Sequence, residues 1–154
     1  MNLGVTGRYR EDQDFTLLME LATEWLRDHE DVTMVHTGMR RGWELAVAKA
    51  AWDLQRPFHA HIPFEGQAET WTSRWQFRWA SLCDAATYTT VYGADDNARS
   101  IMDCNNGVAD ASDELLLLWD GSVGVTGYIL SRARELPVHN LWEMYNERRD
   151  SNAD

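Results

Sequence analysis

Residues 113–122 read Asp-Glu-Leu-Leu-Leu-Leu-Trp-Asp-Gly-Ser, and this stretch decides the fold class. Four consecutive leucines between polar residues are typical of a strand that helices cover on both faces, as in a parallel sheet. A glycine-containing turn follows the leucines directly, where a parallel strand leads into its next helix. We therefore expect Leu115–Trp119 to be the central strand of an α/β sheet.

The rest of the chain alternates short apolar runs with longer stripes of helical period. This order predicts an α/β three-layer fold with a mainly parallel central sheet flanked by helices. Asn105-Asn106-Gly107 contains poor helix formers, so we expect local distortion there. A single domain over residues 1–146 and a frayed polar tail over 147–154 complete the prediction. Strands are expected at 2–5, 32–35, 58–62, 87–92, 115–119 and 138–141, and helices at 15–29, 43–54, 71–86, 98–111 and in a short segment ending at 135.

Composition narrows the function classes. The 154-residue chain is 44% hydrophobic and carries 14 Lys plus Arg against 25 Asp plus Glu, a formal net charge of -11. Proteins that bind the nucleic-acid backbone normally carry excess positive charge, so this acidic chain is not expected to bind nucleic acid. Cys83 and Cys104 lack metal-ligand or dithiol spacing, and no apolar run reaches the length of a membrane span. We expect a cytoplasmic protein with no cofactor and no membrane partner.

Three predicted strands end in glycine-containing turns that lead to helices, at residues 6–8, 37–42 and 121–126. In an open parallel sheet such turns meet at the carboxyl edge, where ligands bind. Glycine allows backbone N–H groups to approach a phosphate, and Ser122 or Thr126 adds hydroxyl contacts. Arg8, Arg40 and Arg41 supply positive charge. The turns therefore predict an anionic ligand, although each of them taken singly is also an ordinary tight βα turn.

Three segments together resemble the YspA/YpsA-like branch of the SLOG superfamily. They are residues 37–46 (Thr-Gly-Met-Arg-Arg-Gly-Trp-Glu-Leu-Ala), 57–64 (Pro-Phe-His-Ala-His-Ile-Pro-Phe) and 113–122. The resemblance covers residues 2 to 142 and implies a Rossmann-like domain, related to DprA and LOG folds, that binds nucleotide-derived ligands. Some SLOG proteins sense ADP-ribose-type signals in antiphage defence, and the LOG branch hydrolyses nucleoside monophosphates at the N-glycosidic bond.

The turns and the resemblance together give a set of candidate ligand-binding residues. Among them, Arg40→Ala is expected to weaken an anionic ligand and to leave stability nearly unchanged. The candidates are Thr6, Gly7, Arg8, Thr37, Gly38, Met39, Arg40, Gly42, Trp43, Glu44, His61, Phe64, Gln67, Tyr92, Gly93, Asn105, Asp120, Gly121, Ser122, Gly124 and Thr126.

The chain departs from the family pattern at residues that matter for catalysis. Relatives carry a Gly-Gly-Thr step where this chain has Gly124-Val125-Thr126, and an Arg-Asn pair where it has Cys104-Asn105. The LOG catalytic glutamate corresponds to Ile129. Glu44 and Asp120 are the remaining candidate carboxylates for N-glycosidic chemistry. Glu44 is explained equally well by a favourable interaction with the N-terminus of its own helix, and Asp120 by hydrogen bonds to ribose hydroxyls. We therefore expect a binder without turnover, a phage-encoded sponge for ADP-ribose or cyclic ADP-ribose signals that acts in the host cytoplasm. The alternatives are a sensor for a separate effector, a LOG-like N-glycosidase that uses other residues, and a scaffold whose pocket is vestigial.

Histidines and tryptophans leave further alternatives open. His59 and His61 share a strand face without a third ligand at suitable spacing, so we predict no metal site, and a structural role for His61 is as plausible as ligand contact. Gln67 and Trp71 are placed to cover a base. Trp71, Trp75 and Trp79 repeat at helical spacing, which indicates core packing or a subunit interface. Eight tryptophans in so short a chain favour a homo-oligomer.

Overall fold

The computed structural model describes residues 1–153, in which six strands alternate with six helices. The elements are β1 (Asn2–Gly7), α1 (Phe15–Arg27), β2 (Met34–Thr37), α2 (Trp43–Asp53), β3 (Phe58–Ile62), α3 (Ser73–Ala85), β4 (Tyr88–Val91), α4 (Ala98–Ala111), β5 (Glu114–Leu118), α5 (Val125–Arg132), β6 (Val138–Asn140) and α6 (Trp142–Ala153). All neighbouring strands are parallel, in the order β4-β3-β2-β1-β5-β6. The predicted three-layer Rossmann-like α/β fold is confirmed.

The leucine run of β5 supplies both faces of the sheet. Because side chains alternate along a strand, Leu116 and Leu118 enter the larger core, which also holds residues of α1, α2 and α3. Leu115 and Leu117 enter a second core with Ile129 of α5. The helices therefore form two layers, with α4 and α5 in contact with each other on the second face.

Local sequence explains where the first two helices lie. The Asp14 side chain caps α1 by accepting a hydrogen bond from the Leu17 N–H at 3.2 Å. Helix α2 is rich in alanine, and most of its side chains are buried because small residues let it lie between the sheet and α1. No helix within residues 1–153 is both long and apolar enough to cross a bilayer.

The expectation that β5 is the central strand is wrong. β5 lies next to the edge strand β6, while β1 and β2 occupy the centre, because burial on both faces marks any interior strand. Residues 147–153 belong to α6, which Tyr145 anchors, and residue 154 lies outside the described residues. The expectation that this polar tail frays stays a prediction. The Tyr145 side chain is fully buried, and its hydroxyl accepts a hydrogen bond from the Asp14 N–H at 2.9 Å.

Helix α4 also differs from expectation, because it is continuous through Asn105-Asn106-Gly107. The absence of a side chain at Gly107 is what allows the close approach of Tyr92. A Cβ atom at Gly107 would lie 2.0 Å from the Tyr92 hydroxyl oxygen. The poor helix formers therefore reflect packing, and they do not distort the helix.

Candidate functional site

A cavity of about 490 Å³ opens at the carboxyl ends of the strands. Its walls come from the segments that follow β1, β2, β3 and β5, together with Ile101 of α4. This is the edge at which open α/β sheets bind ligands, and the volume lies within the range of small-molecule sites. The cavity is therefore the candidate functional site.

Three arginines, Arg8, Arg40 and Arg41, line this cavity. No aspartate or glutamate of the described residues lines it, although the whole chain has a formal net charge of -11. Arg41 lies over two aromatic rings, with its guanidinium carbon 4.4 Å from the centroid of Tyr9 and 5.2 Å from that of Trp71. The cavity concentrates positive charge in an acidic protein.

Arg40 is held in place by two buried side chains. Its Nη2 donates to Asn105 Oδ1 of α4 at 2.9 Å, and its Nη1 donates to Glu44 Oε1 of α2 at 3.3 Å. Gly38 leaves room for this pair, because a Cβ atom there would lie 2.5 Å from the Arg40 Nη1. The guanidinium is therefore pre-oriented at the cavity wall before any ligand arrives.

Backbone strain in the turn after β2 directs these side chains. Met39 has φ 59°, in the left-handed region that is unfavourable for residues with a Cβ atom. Its side chain is fully buried, while the next two residues, Arg40 and Arg41, line the cavity. The turn ends at Gly42, which has φ 84° and begins α2. The core contact of Met39 holds the strained turn in place.

Glu44 is buried beneath Arg40 and does not line the cavity. Burial raises the pKa of its carboxyl, and the nearby Arg40 guanidinium partly offsets that effect. Its Oε2 has no hydrogen-bond partner within the described chain. Glu44 therefore supports Arg40 from below and does not face a ligand.

The first turn of α5, which no side chain caps, forms another part of the cavity wall. Gly124 precedes this helix and makes no side-chain capping bond, and Val125 and Thr126 of its first turn line the cavity. The Thr126 hydroxyl is 3.0 Å from that of Thr6, which joins α5 to the end of β1. A helix N-terminus with free donors favours an anion.

Asp120 lies outside the cavity, in the turn after β5. Its Oδ1 accepts a hydrogen bond from the Ser122 N–H at 2.9 Å, and Oδ2 accepts one from Arg10. Hydrogen bonds from Ser122 and then from Arg10 hold the pKa of this carboxyl well below its usual range. Asp120 shapes the loop that carries Ser122 to the cavity.

His61 lies away from the cavity, in a cluster with His36 and His59 on the face of the sheet covered by α4. His36 Nδ1 and His61 Nε2 are 2.9 Å apart, and His61 Nδ1 is 2.7 Å from the hydroxyl oxygen of Tyr92. Burial lowers the pKa of His36 to about 4 and that of His61 to about 3, and it also lowers the pKa of His59. The third histidine, which we expected to be missing, is present, because register places His36 of β2 opposite His59 of β3.

The structure divides the predicted site residues into those at the cavity and those behind it. Trp43 is an example of the second group, because its indole N–H donates to the Leu116 carbonyl inside the core. Gln67 is at the wall and also donates to the Gly38 carbonyl at 2.9 Å. The cavity is lined by Gly7, Arg8, Arg40, Phe64, Gln67, Ser122, Gly124 and Thr126. The residues that do not line it are Thr6, Thr37, Gly38, Met39, Gly42, Trp43, Glu44, His61, Tyr92, Gly93, Asn105, Asp120 and Gly121.

Several lining residues were not predicted from sequence. Tyr9 and Trp119 provide aromatic surface, and the position of each next to a predicted turn was a usable signal. Ile101 has no such signal, because only the packing of α4 against the sheet brings it there. The unpredicted lining residues are Tyr9, Pro63, Ile101, Trp119, Val123 and Val125, while Arg41 and Trp71 were considered as a charge source and a base cover.

Comparison with known proteins supports the fold. No protein-family model matches the chain, and no curated protein matches its sequence. The fold is similar to that of the molybdenum cofactor carrier protein MCP from Chlamydomonas reinhardtii, with 19% identity, a TM-score of 0.54 and coverage of 89% of this chain and 73% of that chain. A second structure, of the Moco carrier protein from Chlamydomonas reinhardtii, has 15% identity and a TM-score of 0.45, covering 90% and 87%. The first likeness shows a shared Rossmann-like fold, and the resemblance to the YspA/YpsA-like branch stays a prediction.

Proposed function

We propose that this protein binds an anionic, nucleotide-derived small molecule in the cavity at the carboxyl edge of its sheet. One observation carries the proposal. In a chain with a formal net charge of -11, three arginines and no acidic residue of the described part line that cavity. This local reversal of charge favours a ligand with phosphate groups.

The walls suit the two ends of such a ligand. The guanidinium of Arg40 and the N–H groups at the start of α5 are the proposed donors to the phosphate oxygens, since residues of both segments line the cavity. Tyr9, Trp71 and Trp119 offer aromatic faces on which a base can stack. A ligand of the ADP-ribose or cyclic ADP-ribose type combines both features.

The same cavity favours binding without turnover. Hydrolysis of an N-glycosidic bond needs a carboxylate beside the sugar, and Glu44 and Asp120 both lie outside the cavity lining. A protein that holds such a ligand intact removes it from solution. In the finer form of the proposal, implied by the SLOG resemblance, it is a phage sponge that sequesters an ADP-ribose-type immune signal.

A ligand panel tests the proposal. The purified protein is incubated with AMP, ADP-ribose, NAD, cyclic ADP-ribose isomers and molybdenum cofactor, the last because a structural neighbour carries it. Bound material is then recovered by chromatography before and after heating. Intact nucleotide released only by heat is expected. Free base or ribose phosphate would instead indicate a LOG-like enzyme, and recovery of molybdenum cofactor alone would contradict a nucleotide ligand.

A charge-matched pair of variants connects binding to the cavity. Arg8→Gln removes an exposed guanidinium at the wall and is expected to weaken binding by about 1.5–3 kcal/mol, or roughly 10–100-fold. Arg134→Gln removes an equal charge from the surface outside the cavity lining and should leave affinity unchanged. Equal weakening in both variants would mean that only the overall charge matters, which would remove the cavity from the proposal.

A further inference from the structure

Three histidines of two neighbouring strands meet on the face of the sheet that α4 covers. His36 on β2 lies opposite His59 on β3, and His61 follows two residues later on the same face. One ring nitrogen from each lies within 4.8 Å of those from the other two. We propose that His36, His59 and His61 form a binding site for a divalent transition-metal ion, with Zn²⁺ as the best fit to three imidazoles.

The spacing of the nitrogens suits such an ion. With zinc–nitrogen bonds of about 2.0–2.1 Å, ligand nitrogens in a tetrahedral site lie about 3.4 Å apart. His36 Nδ1 and His61 Nε2 are now 2.9 Å apart, and the whole set lies within 4.8 Å. Closing the remaining gap of up to about 1.4 Å requires rotation of the side chains. The His59 and His61 rings, which are stacked with their centroids 3.9 Å apart, must tilt so that each directs a nitrogen at the ion.

The neighbouring groups hold His36 in a ligating form and leave both ring nitrogens of His61 hydrogen-bonded. Asn2 Oδ1 is an acceptor 3.1 Å from His36 Nε2, so His36 carries its proton on Nε2 and directs the lone pair of Nδ1 towards His61. Without metal, His61 Nε2–H donates to that lone pair, and the Tyr92 hydroxyl donates to His61 Nδ1. Every proton in this chain of bonds has a partner.

Metal binding requires one proton to move within His61. The proton on Nε2 transfers to Nδ1, which frees the Nε2 lone pair for the ion, and the Tyr92 hydroxyl rotates to accept from Nδ1–H. No proton is gained or lost. Outer hydrogen bonds of this kind, from the second ring nitrogen of a ligand to an oxygen, are what orient histidines in metal sites.

His59 gives the site access to solvent. It is only partly buried, whereas His36 and His61 are 7% and 3% exposed, and its Nε2 is 2.8 Å from the Thr90 hydroxyl. Three protein ligands leave a fourth position for water. The site is separate from the arginine-lined cavity, so the inference does not depend on the proposed nucleotide ligand.

Cobalt provides a direct test with the intact chain. Chelator-treated protein is titrated with Co²⁺, whose visible absorption reports a low-coordinate nitrogen site, and Zn²⁺ is then measured by competition. One equivalent of each ion is expected. His59→Gln should weaken binding by at least about 100-fold, and Tyr92→Phe, which keeps the ring but removes the outer partner of His61, by about 10–100-fold.

The two histidines outside the cluster give the control. The chain has five histidines, and the double variant His29→Gln/His139→Gln removes the remaining pair. It should bind metal like the unmodified protein. Loss of binding in this variant, unchanged binding in His59→Gln or no stoichiometric metal at all would overturn the proposal. If a variant fails to fold, X-ray absorption at the zinc edge is measured on the unmodified protein loaded with Zn²⁺. The proposal requires that the spectrum shows three imidazole ligands, and a smaller number would overturn it.

Discussion

Arg40→Ala should destabilise the protein in a strongly pH-dependent way. Sequence reasoning expected nearly unchanged stability, but the structure shows that Arg40 is the cation paired with the fully buried Glu44. Removing it leaves a buried carboxyl with no opposite charge, a change that costs about 3–5 kcal/mol when the carboxyl stays ionised. Glu44 can limit that cost by binding a proton.

Protonation of Glu44 limits the part of the loss that comes from the unpaired carboxyl, which adds to the pH-independent loss of the Arg40–Asn105 hydrogen bond. Each pH unit above the ordinary pKa of 4.5 for Glu44 adds about 1.4 kcal/mol to the cost of keeping the carboxyl neutral. This limit is therefore about 1.4 kcal/mol at pH 5.5 and about 4 kcal/mol at pH 7.5. Because burial raises the pKa of Glu44 in the folded state, its contribution to stability is present below pH 4.5 and declines as pH rises, and the loss of Arg40 steepens that decline.

Urea unfolding at pH 5.5 and 7.5 measures this difference, with equal m-values confirming the same transition. The matched background is Glu44→Gln, in which the side chain cannot ionise. Arg40→Ala should cost the same free energy of unfolding at both pH values in that background. An equal cost at both pH values in the natural background, or a pH dependence that survives Glu44→Gln, would refute the reasoning.

Three further predictions concern packing. Gly107→Ala should lower the melting temperature although alanine has the better helix propensity, because the added Cβ would clash with the Tyr92 hydroxyl. A rise in melting temperature would contradict this interpretation. Tyr145→Phe should cost about 1–2 kcal/mol in urea unfolding by leaving the Asp14 N–H without its acceptor, and no cost would mean that α6 is not docked there. Trp43→Phe should cost about 1–3 kcal/mol in the same assay, since it removes the indole N–H bonded to a buried β5 carbonyl, whereas the exposed Trp52→Phe should change little.

Part of the candidate site followed from local sequence. The glycine-containing turns after β1, β2 and β5 indicated which segments form the cavity, and Arg8, Arg40 and Ser122 do line it. Glu44 was also a candidate, but only the packing of α2 shows that it lies beneath Arg40. Whether a residue near a turn faces the cavity or the core depends on the backbone of that turn, as the strained φ of Met39 shows. The hypothesis that tryptophans lie between subunits stays a prediction.

The sequence by itself determined the alternation of strands and helices and the α/β class, because hydrophobic period and turn residues are local properties of the chain. It could not determine which strand is central, since the leucines of β5 are typical of any interior strand. Tertiary structure alone decided that His36 meets His59 and His61, and that Arg40 meets Asn105, 65 residues away. Strand register and helix packing create such contacts between distant residues, and no periodicity within a single segment encodes them.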